Sequence, residues 1–408
     1  MKLSYFALLL CLVLSNSSNP QDGWTYKSDM SLARTVPGYA VFENKLYLFG
    51  GSPGVSAVGL VEAYDPVTDV WSELTYLPSA RCFEMTCTYQ DKIYLFGGGQ
   101  GLTGDALKSV YVFDPHTLEF TQKGDMPYAI QASGIAVVED TIYIIGGAFN
   151  DVVPPVATVL AYDPLNDTWT QKADLPTARD ILSACVVDGK IYAIGGTTED
   201  YNNIFYKFVD VYDPAADTWV RKTDMPTGRY GLITMVMDGL IYAIGGRAGS
   251  PTAVNEVYNP ETDTWETKAP MQLARIGLAG GVINGKIYAA GGHQAPPVCF
   301  ASCEEYTPAF SPVRQSINEL PDKFELLQNY PNPFNPNTTI SYSVPYECKV
   351  KMKIYDMLGN EIVTLINEKK AAGSYEVKFD GSSLASGVYI YRLTGGSFSA
   401  SRKFVLMK

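Results

Sequence analysis

The 408-residue chain carries a formal net charge of -12, with 46% apolar and 18% charged residues, which supports an ordered core and excludes a disordered polypeptide. Residues 318–408 hold 11 Lys/Arg against 9 Asp/Glu, so the acidic excess lies in the first 317 residues. A main body of that sign repels nucleic acid and anionic membrane, and neither is expected as its partner.

In chain order, Lys2 is followed by a short apolar run at 7–14 and then by Ser15-Asn16-Ser17-Ser18. This reads as a secretory signal peptide over residues 1–18, too short to span a bilayer. Leu10 precedes Cys11 where a lipoprotein signal has a small residue, which argues against a lipid anchor. No other segment is apolar enough to cross a membrane. Cys299 and Cys303 share one stretch and are open to pairing in an oxidising compartment; Cys82, Cys87, Cys185 and Cys348 read as small core residues. No spacing resembles a metal site, and no cofactor is expected.

Six strand-like runs end in Gly-Gly, at 46–51, 93–98, 142–147, 191–196, 241–246 and 287–292. Their spacings of 47, 49, 49, 50 and 46 residues define an internal repeat. Each pair is followed by Tyr64-Asp-Pro or its counterpart at Phe113, Tyr162, Tyr212, Tyr258 and Tyr306. Most of these are followed by an aromatic residue: Trp71, Phe120, Trp169, Trp219 and Trp265. Each repeat therefore holds four strands. Pairs such as Asp188-Gly189 suit the first hairpin turn, and Asp-Pro suits a type I turn between the third and fourth strands. Gly-Gly, Tyr and Trp at these spacings resemble the kelch repeat over roughly residues 24–310. The fold implied is all-β: a six-bladed kelch β-propeller over residues 19–310, with a linker at 311–319 and a small C-terminal β-sandwich.

The sixth repeat lacks its Trp, and the missing piece stands at the other end. Trp24, Met30 and Arg34 match the fourth-strand pattern, so the N-terminal strand should complete the last blade beside Tyr306. Such an exchange closes the ring and removes sheet edges.

The 1–2 and 3–4 turns are nearly uniform between repeats, whereas the 2–3 loops vary. Variable loops on a uniform scaffold usually hold specificity, so the 2–3/4–1 face is the candidate binding face for a carbohydrate or protein ligand. Arg34, Arg81, Arg179, Arg229 and Arg275 recur there, with Ile130 in the third repeat. Two readings stay open. The arginines hold an acidic ligand through bidentate bonds, as the resemblance to ligand-binding kelch proteins implies, or they brace neighbouring blades. Tyr201, Phe205 and Tyr206 in the longest loop are candidate stacking residues, and His293 lies on the same face. The two histidines, His116 and His293, are far apart in sequence and disfavour a copper oxidase of the galactose oxidase type. No catalytic constellation stands out. The competing enzyme reading is a sialic-acid mutarotase-like kelch protein.

From Leu320 the sequence changes character. Alternation in Val350-Lys-Met-Lys-Ile-Tyr and Tyr375-Glu-Val-Lys-Phe predicts half-exposed strands, with Asp356-Met-Leu-Gly-Asn as a hairpin turn. Tyr330-Pro-Asn-Pro-Phe-Asn-Pro, Ile354-Tyr-Asp-Met-Leu-Gly, Gly387-Val-Tyr and Lys403-Phe-Val-Leu-Met-Lys resemble the type A C-terminal sorting domain of the type IX secretion system, over residues 320–408. That resemblance implies the type IX machinery as partner and a secreted or outer-surface bacterial location. The chain as a whole reads as an exported binding or adhesion module.

Overall fold

Strand β1 (Gly23–Lys27) is the first element of the computed structural model, which describes residues 22–149, 154–198, 204–295, 298–308, 323–329, 332, 334–396 and 398–407. The expected signal peptide, the linker at 311–319 and Tyr201 lie outside these residues. All regular structure among the described residues is strand, and no helix there is long and apolar enough to cross a membrane. The chain divides into two compact units, Met1–Phe310 and Ser311–Lys408.

In the first unit, six four-stranded antiparallel sheets follow one another. Blade one is β2 (Gly38–Phe42), β3 (Lys45–Phe49), β4 (Leu60–Asp65) and β5 (Val70–Tyr76). Blade two is β6 (Met85–Tyr89), β7 (Lys92–Phe96), β8 (Val110–Asp114) and β9 (Glu119–Gln122). Blade three is β10 (Gly134–Val138), β11 (Thr141–Ile145), β12 (Val159–Asp163) and β13 (Thr168–Lys172). Blade four is β14 (Ser183–Val187), β15 (Lys190–Ile194), β16 (Val209–Asp213) and β17 (Thr218–Arg221). Blade five is β18 (Ile233–Met237) and β19 (Leu240–Ile244), a short hairpin of β20 (Arg247–Ala248) and β21 (Ser250–Pro251), then β22 (Asn255–Asn259) and β23 (Thr264–Lys268). Blade six is β24 (Ala279–Ile283) and β25 (Lys286–Ala290), a hairpin of β26 (His293–Ala295) and β27 (Val298–Cys299), then β28 (Cys303–Thr307). Its fourth strand is β1, antiparallel to β28 with Trp24 opposite Tyr306.

Local chemistry explains the repeat. The turn pairs Asp188-Gly189, Asp238-Gly239 and Asn284-Gly285 all have both residues at positive φ, as a type I′ hairpin requires. The second Gly of each Gly-Gly donates its N–H to the carbonyl at the arginine position of the next blade, from Gly51 to Arg81 round to Gly292 to Arg34. The first Gly packs so closely that a Cβ on Gly195 would lie 2.5 Å from the Arg229 carbonyl. The repeated Tyr and Trp rings stack at 4.7–5.1 Å, as in Tyr162–Trp169 and Trp24–Tyr306, and the Trp24 indole N–H donates to the Ala269 carbonyl of blade five.

The second unit is a two-sheet sandwich. One sheet is β29 (Glu325–Leu326), β30 (Asn337–Val344) and β33 (Gly373–Asp380); the other orders β32 (Glu361–Lys370), β31 (Cys348–Tyr355), β34 (Gly387–Gly395) and β35 (Phe398–Leu406). Ile340, Val350, Met352, Ile354, Tyr391 and Phe404 close its core.

Candidate functional site

The innermost strands β2, β6, β10, β14, β18 and β24 stand side by side in a ring, the last against the first. They enclose a channel with a cavity of about 380 Å³. The innermost strands begin at its end on the side of the variable 2–3 loops, here called the mouth. Just before each innermost strand, one residue adopts positive φ: Val36, Phe83, Ala132, Ile181, Gly231 and Gly277. Each donates its N–H to the carbonyl of the preceding member, at 2.7–3.2 Å, and Val36 completes the circuit by donating to Gly277. Left-handed Val36 and Ile181 are unfavourable for β-branched residues, and a closed, cooperative circuit of peptide hydrogen bonds offsets that strain. The throat is lopsided. Phe83 and Ile181 are bulky members, whereas Gly231 and Gly277 belong to blades five and six. A Cβ at Gly277 would meet Thr35 Oγ1 at 2.5 Å.

Outside the throat, each residue after an arginine position bridges the residue after a Gly-Gly: Thr35 with Ser52, Cys82 with Gly99, Gln131 with Ala148, Asp180 with Thr197, Tyr230 with Arg247, and Ile276 with His293. The backbone repeats while the side chains differ at every pair. Between blades two and four, Phe83, Leu102, Gln131, Asp180 and Ile181 line a pocket of about 260 Å³. In blades five and six, Tyr230, Arg247 and His293 form a second sector. Thr35 Oγ1 lies 2.8 Å from His293 Nδ1. Burial, and then the charge of Arg247, push His293 down to about 4, so its ring is neutral at neutral pH. The half-buried Phe205 ring stacks on Tyr230 at 6.0 Å, and Tyr206 stacks on Phe208. His116 sits in the turn between β8 and β9, on the opposite face.

The five repeated arginines are elsewhere. Arg34, Arg179, Arg229 and Arg275 are 0% exposed and Arg81 is 1% exposed, so none meets a ligand at the mouth. Four are matched by a carboxylate on the third strand of their own blade: Arg34 with Glu62 at 2.8 Å, Arg179 with Asp210 at 2.8 Å, and Arg229 with Glu256 and Arg275 with Glu304 at 2.5 Å each. Three of them also donate to backbone carbonyls at or just past the second strand: Arg179 to Ala193, Arg229 to Ala243 and Arg275 to Gly291. In blade two Tyr111 replaces the acid, and the Arg81 guanidinium lies 5.0 Å over its ring. In blade three both partners are apolar, Ile130 and Leu160, in one core cluster. This is the bracing alternative. The ligand-holding reading does not fit these positions, because the guanidiniums are closed off from solvent and four of them already face a buried carboxylate of their own blade.

Cys299 and Cys303 are free: Cys303 is buried in β28, and Cys299 Sγ lies 3.5 Å from the Ser52 carbonyl at the mouth. Among the described residues no cluster of His, Cys, Asp or Glu is arranged to hold a metal.

The model of the KLHDC2/KLHL20/DRC7 kelch-repeats domain matches residues 27–174 and 121–292. The chain belongs to the kelch-repeat family. A solved structure described as "Structure of YjhT" superposes on this kelch propeller with a TM-score of 0.59 at 13% identity, covering 68% of this chain and 95% of that one, which bears on the fold alone. Residues 328–407 match the secretion system C-terminal sorting domain, so the kelch propeller is joined to a type IX sorting tail and is exported to the surface or medium of a bacterium. A search of curated protein sequences finds no match.

Arg247, at this candidate site, is the residue that the repeat pattern hides. It is the only cation directly after a Gly-Gly, and an alignment of the six repeats at that position (Ser52, Gly99, Ala148, Thr197, Arg247, His293) picks it out.

Proposed function

We propose that the propeller is the recognition part of a secreted or surface-displayed ligand-binding module, and that a carboxylate-bearing carbohydrate or peptide docks at the mouth between blades five and six. Arg247 carries this reading. Unlike the five repeated arginines it is only half-buried, and it forms no ion pair among the described residues; its Nε has no hydrogen-bond partner. A guanidinium held with spare donors at the base of variable loops suits a planar anion. Neutral His293 and the Phe205–Tyr230 stack supply a hydrogen-bonding group and an apolar face beside it. Residues 1–18 then act as the inner-membrane signal, ahead of the sorting tail.

A glycan and peptide array probed with the full chain tests the proposal. Arg247→Ala is expected to weaken an acidic hit roughly tenfold to a hundredfold, the range for losing a charged hydrogen bond, with the unfolding midpoint unchanged. Binding that survives Arg247→Ala, or an array without acidic hits, overturns it.

A further inference from the structure

The outward face of the β32-β31-β34-β35 sheet collects cations. Lys349, Lys351 and Lys353 alternate along β31 with the core residues Val350, Met352 and Ile354. Lys349 stands directly opposite Lys369, and Lys353 directly opposite Arg392. Lys403 adds a further charge on β35. Among the described residues, the one carboxylate paired to this set is Glu361, 2.6 Å from Lys353 Nζ. Arg392 donates to Ser401 Oγ and lies 5.2 Å over the Tyr355 ring. Like charges directly opposite on one face destabilise a sheet, and here that occurs twice in one small domain. The other sheet shows no such pattern: β30 turns Asn337, Thr339, Ser341 and Ser343 outward. Local rules are broken chiefly at functional or strained sites, and here one face alone breaks this one.

The apolar neighbours indicate the occupant. At the β31–β32 turn, Met357 and Leu358 are 56% and 88% exposed, and Ile362 and Val388 beside them are also exposed. Cations that reach phosphates next to an apolar tip that leaves water are the two components of interfacial membrane binding. An acidic protein surface would match the cations and leave Leu358 unexplained. We infer that this face of the sorting domain docks on an anionic, phosphate-bearing lipid surface, with the Met357–Leu358 turn inserted at the headgroup level. The acidic propeller is repelled by the same surface, which leaves the tail as the part that lies against the membrane.

Flotation of the full chain with vesicles tests this. Binding is expected with phosphatidylglycerol-containing vesicles, not with pure phosphatidylcholine, and is expected to fall with added salt. Lys349→Glu/Lys351→Glu/Arg392→Glu should lower the bound fraction by about tenfold or more at an unchanged melting profile. Leu358→Ser, which leaves the charge unchanged, should weaken binding to anionic vesicles without altering its salt dependence. Lys349→Arg/Lys351→Arg should bind like the parent, which separates charge from folding. Equal binding to both vesicle types, no binding to either, or full binding by the triple variant overturns the inference.

Discussion

Glu84 is the one acidic side chain among the residues lining the channel, and it is buried there. Burial pushes its carboxyl up to about 8 from an ordinary 4.5, against the nearby charges of Arg81 and Arg34. Below the ordinary value it is neutral in both folded and unfolded chains. As pH rises from about 4.5 to about 8 the unfolded chain loses its proton first, so stability falls across that window and levels off above it. Glu84→Gln removes the dependence. Its melting temperature is expected to exceed that of the parent by a margin that grows between pH 5 and pH 9; a margin constant with pH would mean that Glu84 ionises normally. The sequence shows this residue only when repeats are superposed, where Pro37, Ser133, Leu182, Leu232 and Leu278 take its place. Its burial is a property of the seam between blades one and two, which no single repeat encodes.

Within a blade, the arginine and the third-strand position vary together: Arg with Glu or Asp in four blades, Arg with Tyr111 in blade two, Ile130 with Leu160 in blade three. The molecule thus contains its own apolar replacement for a buried ion pair. Arg229→Ile or Glu256→Leu alone strands a buried charge and should cost about 3–5 kcal/mol. Arg229→Ile with Glu256→Leu, which copies blade three, should recover most of that loss in denaturant unfolding; a double variant as unstable as either single one contradicts the account. The blades themselves were legible because Gly-Gly, Tyr-Asp-Pro and Trp are local signals with a fixed spacing. The arginines pointed two ways because their partners lie 27 to 31 residues downstream, and a repeated charge looks alike in sequence whether it faces a ligand or a carboxylate. Arg247 is hard to read from sequence for the converse reason: a residue that occurs once has no repeat to announce it.

At the scale of the molecule, the two ends of the propeller share blade six. Besides the pairing of β1 with β28, Gln272 donates to the Trp24 carbonyl and Asp22 accepts the Ala269 N–H. A chain beginning at residue 35 loses the fourth strand of that blade and the buried Trp24, and should melt well below the parent in a single transition of the whole propeller. An unchanged melt would show that blade six stands without β1. The circular arrangement also sets an order of events for a chain that crosses the inner membrane N-terminus first. The first strand to emerge is one of the last to find its partner, because 275 residues separate the end of β1 from the start of β28. The ring therefore cannot close before the third strand of blade six has come through, when only the C-terminal unit is still to follow. Until then β1 is an unpaired strand on a partly built structure, which makes it the segment most exposed to capture by a chaperone or by another copy during export.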